Sequence, residues 1–351
     1  MRVRVRPAGR LLLSVGLALG ALAVTGARAA AARAQTPPAP AKSQPAGVPA
    51  AELTEARKVE AAPDAQGRLA AADAFLKKFP KTTLRVQVAQ LVAEKIGDTT
   101  DPAQLSTLAD SFRALFNQPG EADVLNPELL HAYLATKQFD NAFKLAATIV
   151  DKLPDPVTAM VELVNAGYSQ LQQQNAQYAP QSAQYAARVI ELIEADKKPA
   201  VLDDATWTDY KTKQLPQLYR LHGLLLYASG DHATAKAKLQ RAIALNPTDL
   251  FAYYVLGSIR NEDYIDLVAK YKAATGPAQA EMLKQAETTL DEVIDLYAHV
   301  IAFSEGNAQY QQIHDSVLQD LQTDYKYRHK NSLDGLQQLI DKYKQPAAAK
   351  P

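Results

Sequence analysis

Metal binding and acid–base catalysis both need histidines or carboxylates gathered at one place. The 351-residue chain has six histidines, His131, His222, His232, His299, His314 and His329, and no cysteine. The last three are evenly spaced along the sequence. At about 100° per residue that spacing leaves an offset of about 60° around a helix, and Gly306 places a turn between the first two. A zinc site wants a more compact ligand set. Asp291, Glu292 and Asp295 form an acidic group on one helical stretch, able to move protons only inside a cleft that shifts their pKa values and otherwise a solvated face. The chain contains no G-x-x-x-x-G-K-[ST], G-x-G-x-x-G, H-E-x-x-H or G-x-S-x-G, so no phosphate cradle, metal helix or nucleophile elbow is written in it. The expectation is a non-enzyme with no catalytic residue, no metal and no cofactor. Lack of cysteine also excludes disulfides, thiolate ligands and lipid attachment through an N-terminal cysteine.

Tyrosine is the more informative residue type. Sixteen are present, nine of them after residue 250. Tyrosine supplies broad, stiff contact area with a hydrogen-bonding tip, used either in packing between helices or in gripping a partner.

Lys+Arg and Asp+Glu both number 38, a net charge of zero. Six of the basic residues are arginines within 1–34, where there is no acid. The rest of the chain therefore carries 32 basic and 38 acidic residues, a charge of −6 that argues against nucleic acid as a partner. Met1 to Arg10 is basic, Leu11 to Val24 is an apolar run of 14 residues, and Ala27-Arg28-Ala29 and Ala32-Arg33-Ala34 come after it. This order predicts a cleavable Sec-type signal peptide over 1–34, cut after Ala34 or Ala29. The apolar run is shorter than the roughly 20 residues of a membrane span, so no span is expected after cleavage. Export without cysteine points to the bacterial periplasm, or to secretion. Residues 35–50, with five prolines in sixteen, read as a disordered linker, and 345–351 as a disordered tail.

The elements between, over 51–344, are helices. Ala, Leu, Gln, Glu and Lys dominate, prolines fall mostly between the stretches, and no alternating β-branched run occurs. In 138–153, Phe139, Ala142, Phe143, Ala146, Ile149, Val150 and Leu153 make one apolar face, and Pro154 stops the helix. In 231–245, Ala235, Leu239, Ala242 and Ile243 do the same, with Asp231 as cap and Asn246-Pro247 as terminator.

One pattern recurs. Tyr219-x-x-His222-Gly223-x-x-Leu226 is followed by Ala235-x-x-x-Leu239, Ala242 and Pro247. Tyr253, Leu256 and Gly257 then stand in the register of Tyr219, His222 and Gly223. This resembles the tetratricopeptide repeat, a helical hairpin with a period of about 34 residues. The best match lies over 216–260. Segments 138–154 and 67–80 resemble its second helix, with Arg68 where the family has alanine. His222 stands where an aliphatic residue is usual. The resemblance implies an all-α fold: a helical-hairpin solenoid of degenerate tetratricopeptide repeats, with a longer-helix C-terminal cap over 277–303, 307–329 and 332–343. It assigns Tyr219, Gly223, Leu226, Ala235, Leu239, Ala242, Pro247, Tyr253, Leu256 and Gly257 to repeat packing.

The family lines its concave groove with the first helix of each hairpin. That places Gln217, Arg220, Tyr227, Phe251, Tyr254, Ser258 and Asn261 in a partner-binding groove, with Leu224 on the same stripe. Members that grip a C-terminal carboxylate use paired Lys and Asn; Arg220 is basic, but Leu224 stands at the Asn position. The function implied is an exported scaffold or adaptor holding a protein or peptide in the cell envelope. The competing expectation is a metal-dependent enzyme, or a small-ligand or lipid binder, using the His- and Tyr-rich C-terminal helices.

Overall fold

The computed structural model describes residues 48–153 and 155–344. The expected signal peptide (1–34), nearly all of the linker (35–50), Pro154 and the tail (345–351) lie outside them. All regular secondary structure among the described residues is helical, with no strand among them. The described residues divide into two compact units, 48–166 with 197–206, and 167–196 with 207–344.

The first unit is built from α1 (Ala50–Ala61), α2 (Ala65–Lys78), α3 (Arg85–Gly97), α4 (Pro102–Leu115), α5 (Asn126–Ala135) and α6 (Phe139–Ile149). Helices pack on near neighbours in chain order: α1 on α2 and α3, α2 on α3 and α4, α3 on α4 and α5, α5 on α6. Phe75, Val92, Ile96, Leu105, Phe112, Phe116 and Leu129 form the core they share. Arg68 has a structural reason to replace alanine. Its guanidinium donates to the carbonyl oxygens of Leu91 in α3 and Glu60 in α1, tying three helices together.

The second unit contains α8 (Ala179–Glu194), α10 (Leu215–Ala228), α11 (His232–Leu245), α12 (Leu250–Ala273), α13 (Pro277–Ser304), α14 (Gln311–Arg328) and α15 (Leu336–Tyr343). α7 (Pro156–Gln172) precedes α8, and α9 (Asp204–Asp209) runs through a π turn, Tyr210–Gln214, into α10. Prolines open α4, α7 and α13 and stand second in α5, α8 and α10, where the missing N–H costs nothing. Pro216 differs from the expected separator, because helix continues on its N-terminal side. The π turn shifts the hydrogen-bond register just ahead of it, where an α-helix would ask proline to donate. α11 starts as its residues dictate: Gly230 turns at φ +87° and Asp231 accepts the Thr234 N–H at 3.1 Å. The C-terminal helices match their expected spans closely, except that the second opens with a 3-10 turn, Ala308–Tyr310, and the last begins only at Leu336.

Candidate functional site

The repeat-like segment is α10, α11 and α12. Its small residues mark the tightest approaches. Gly223 lies against α11: a Cβ there would fall 2.7 Å from Leu239 Cγ and 3.2 Å from the Ala235 carbonyl oxygen. Gly257, its counterpart one period on, lies against α13, with Tyr297 Cε1 2.6 Å from the Cβ it lacks. Tyr219, Ala235, Leu239, Ala242, Tyr253 and Leu256 are buried and Leu226 is half-buried, whereas Pro247, expected among the packing residues, is exposed at the turn that follows α11.

The expected groove does not stay open. Phe251 is 8% exposed, Tyr254 4%, Ser258 4% and Arg220 9%. These four are core, which corrects the expectation that Phe251 and Tyr254 stand free on an unpacked stripe. The physical reason is the length of α12 and the chain that folds onto it. Phe251 meets the ring of Tyr310 edge-on at 5.5 Å, and the Arg220 guanidinium lies 5.6 Å from its centroid. Ser258 donates to the Tyr254 carbonyl oxygen at 2.9 Å and also bonds the Tyr297 phenol. Burial raises the Tyr254 phenol to about 12, aided by the charge of Asp320 in α14.

Arg220 has a structural task. Its Nη1 donates to both carboxylate oxygens of Asp249 at 3.0 Å. Asp249 is the N-cap of α12 and accepts from the N–H groups of Phe251 and Ala252. The pair is almost fully covered, so each charge depends on the other.

Three groove residues remain half-buried: Gln217 and Tyr227 on α10, and Asn261 on α12. Leu224, between the first two on the same stripe, is half-buried as well. The Tyr227 hydroxyl donates to Glu262 at 2.5 Å and its ring packs on His232 at 4.9 Å. Burial, then the Glu262 carboxylate, pushes that phenol up.

The C-terminal histidines and the acidic group are each engaged in separate local contacts. His299 is stacked between Tyr253 (4.2 Å) and Tyr343 (3.5 Å), His329 stacks on Tyr325 at 3.9 Å, and His314 lies beside Asp315. Among the described residues no group of three or more His, Asp or Glu is placed to hold a metal ion. The acidic group is spent on internal bonds: Asp291 with Arg328, Glu292 with Arg260, and Asp295 with the Tyr343 hydroxyl. His222 is buried, with Nδ1 unpartnered, and desolvation lowers it to about 4. No signal in the residue pattern marks the Arg220–Asp249 pair, since it joins positions 29 apart in different hairpins. Among the described residues no helix is long and apolar enough to cross a membrane. Compared with protein-family models and with curated proteins, the chain matches none.

Proposed function

We propose that the chain is an exported, non-enzymatic scaffold of the bacterial cell envelope, whose degenerate tetratricopeptide-like hairpins hold a protein or peptide. The observation that carries the reading is the pair Gly223 and Gly257, one repeat period apart and each pressed against the next helix of the chain. A helical hairpin repeating at that period, with a small residue at the close approach, is characteristic of a repeat solenoid. The basic, apolar and Ala-x-Ala order over 1–34 supports export. Function in such a scaffold lies in the side chains left at the surface. Here those are Gln217, Leu224 and Tyr227 on α10, with Asn261 on α12. Tyr227 offers an aromatic face already anchored by Glu262, which lowers the ordering cost of using it as a contact.

Site-specific photo-crosslinking in intact cells tests this. A photoreactive residue at Leu224 should give one discrete protein adduct, lost in the Tyr227→Ala background; no adduct at 217, 224 or 261 contradicts the reading. Intact mass tests export: the mature chain should begin at Gln35 or Ala30, and a mass retaining Met1 to Val24 contradicts it.

A further inference from the structure

The half-buried stripe on α10 ends beside a carboxylate. The Tyr227 hydroxyl donates to Oε1 of Glu262 in α12 at 2.5 Å. His232, the first residue of α11, packs its ring on Tyr227 at 4.9 Å. Its Nδ1 stands 3.7 Å from Glu262 Oε2, beyond hydrogen-bond reach. Side chains of three helices thus meet at one carboxylate, which is 26% exposed. A phenol and an imidazole hold it in place, and neither is a fixed cation.

Other carboxylates of these hairpins are matched differently. Asp249 is paired with Arg220, Asp263 with Lys236 at 2.7 Å and Arg260 at 3.3 Å, and Glu292 with Arg260 at 2.5 Å. Among the described residues no Lys or Arg pairs with Glu262. A carboxylate withdrawn this far from water has lost part of its hydration, and a single phenol donor returns only some of it. Its open oxygen lies beside Tyr227, and Leu224 stands three residues before Tyr227 on the same stripe. Net charge points the same way. Residues 35–351 hold 38 acidic against 32 basic residues, a balance that draws in a cationic segment.

We infer that Glu262 is the charge-reading position of the stripe: the bound peptide sets a Lys or Arg side chain on the open Oε2, with an apolar residue on Leu224. The inference rests on the scaffold reading above and adds the chemistry of its partner. Tyr227 then has two parts. Its ring is contact area, and its hydroxyl aims the carboxylate beforehand, so little ordering is left to the moment of binding.

Photo-crosslinking from position 224 in intact cells, with the captured segment sequenced by mass spectrometry, tests the two levels separately. The segment should carry Lys or Arg close to the linked residue. Glu262→Gln keeps an acceptor for the Tyr227 hydroxyl and removes only the charge; it should lower adduct yield roughly fivefold. Glu262→Lys should abolish the adduct, and changing the partner's basic residue to Glu should bring it back. An unchanged yield in Glu262→Gln, a captured segment without Lys or Arg, or no recovery in the charge swap overturns the cation reading and leaves the scaffold standing. No adduct from 217, 224 or 261 overturns both.

Discussion

The two hairpins that share the glycine spacing end up with different fates. In α10–α11, helices of 14 residues each meet at Gly223 against aliphatic Leu239, and the stripe bearing Gln217, Leu224 and Tyr227 stays half-buried. In α12–α13, helices of 24 and 28 residues meet at Gly257 against the ring of Tyr297, and the matching stripe bearing Phe251, Tyr254 and Ser258 is core. The local pattern is the same. The extra helical turns are what differ, since they provide a long apolar surface that the 3-10 turn at Tyr310 and α14 fold back to cover. Whether a stripe on such a hairpin stays uncovered is therefore decided by the downstream chain as much as by the hairpin's own residues.

The comparison breaks most visibly at Phe251 and Tyr254. Replacing both by Ala should collapse the melting transition, at about 3–5 kcal/mol for each buried aromatic. Leaving helicity and midpoint intact would restore them to an open groove. Arg220→Ala strands the Asp249 carboxylate under cover, softened by the two N–H groups it still accepts, and should cost about 3–5 kcal/mol in a denaturant melt. Arg220→Lys should recover only part, since an ammonium cannot reproduce the guanidinium contacts.

A sharper version uses the glycines. Gly257→Leu and Gly223→Leu should each lose roughly 1–3 kcal/mol from overpacking, with Gly257 the costlier because a buried ring yields less than an aliphatic side chain. Equal midpoints to wild type would mean the helices do not meet there.

The open hairpin carries a pH signature of its own. Buried neutral His222 binds its proton only near pH 4, whereas the unfolded residue does so near 6.5, so the unfolded state holds more protons between them. Stability should thus fall as pH drops from about 6.5 to 4, by on the order of 3 kcal/mol at the limit. His222→Leu, which restores the aliphatic residue usual in the repeat, should flatten that acid limb in urea melts; an unchanged slope would place the titration elsewhere. Smallest in stability terms is Leu224→Ala with Tyr227→Ala. The pair should shift the midpoint by less than about 2 kcal/mol while weakening partner capture by roughly 2 kcal/mol, measured by binding to the crosslinked partner.

Much of the architecture was legible in the residues. Helix periodicity, the Asp231 cap and the first-turn prolines place the elements closely, because those signals are local. The close approaches at Gly223 and Gly257 were legible too, from a repeat of fixed period. Burial of Phe251 and Tyr254 was not, because it depends on Tyr310 and α14, far along the chain, and nothing within a single repeat period encodes that return. Arg220 misled for the same reason. A basic residue on a helix stripe looks like a ligand for a carboxylate, and its carboxylate proved to be Asp249 of the next hairpin.

Hydroxyl-radical footprinting of the native mature protein, read residue by residue in a mass spectrometer, compares the two stripes directly. With Tyr327, 48% exposed, as the reactive reference, Leu224 and Tyr227 should be modified at rates between that reference and background, and Phe251 and Tyr254 at background. Modification of Phe251 and Tyr254 as fast as Tyr227 would contradict the account, and would mean that both hairpins present the same open groove.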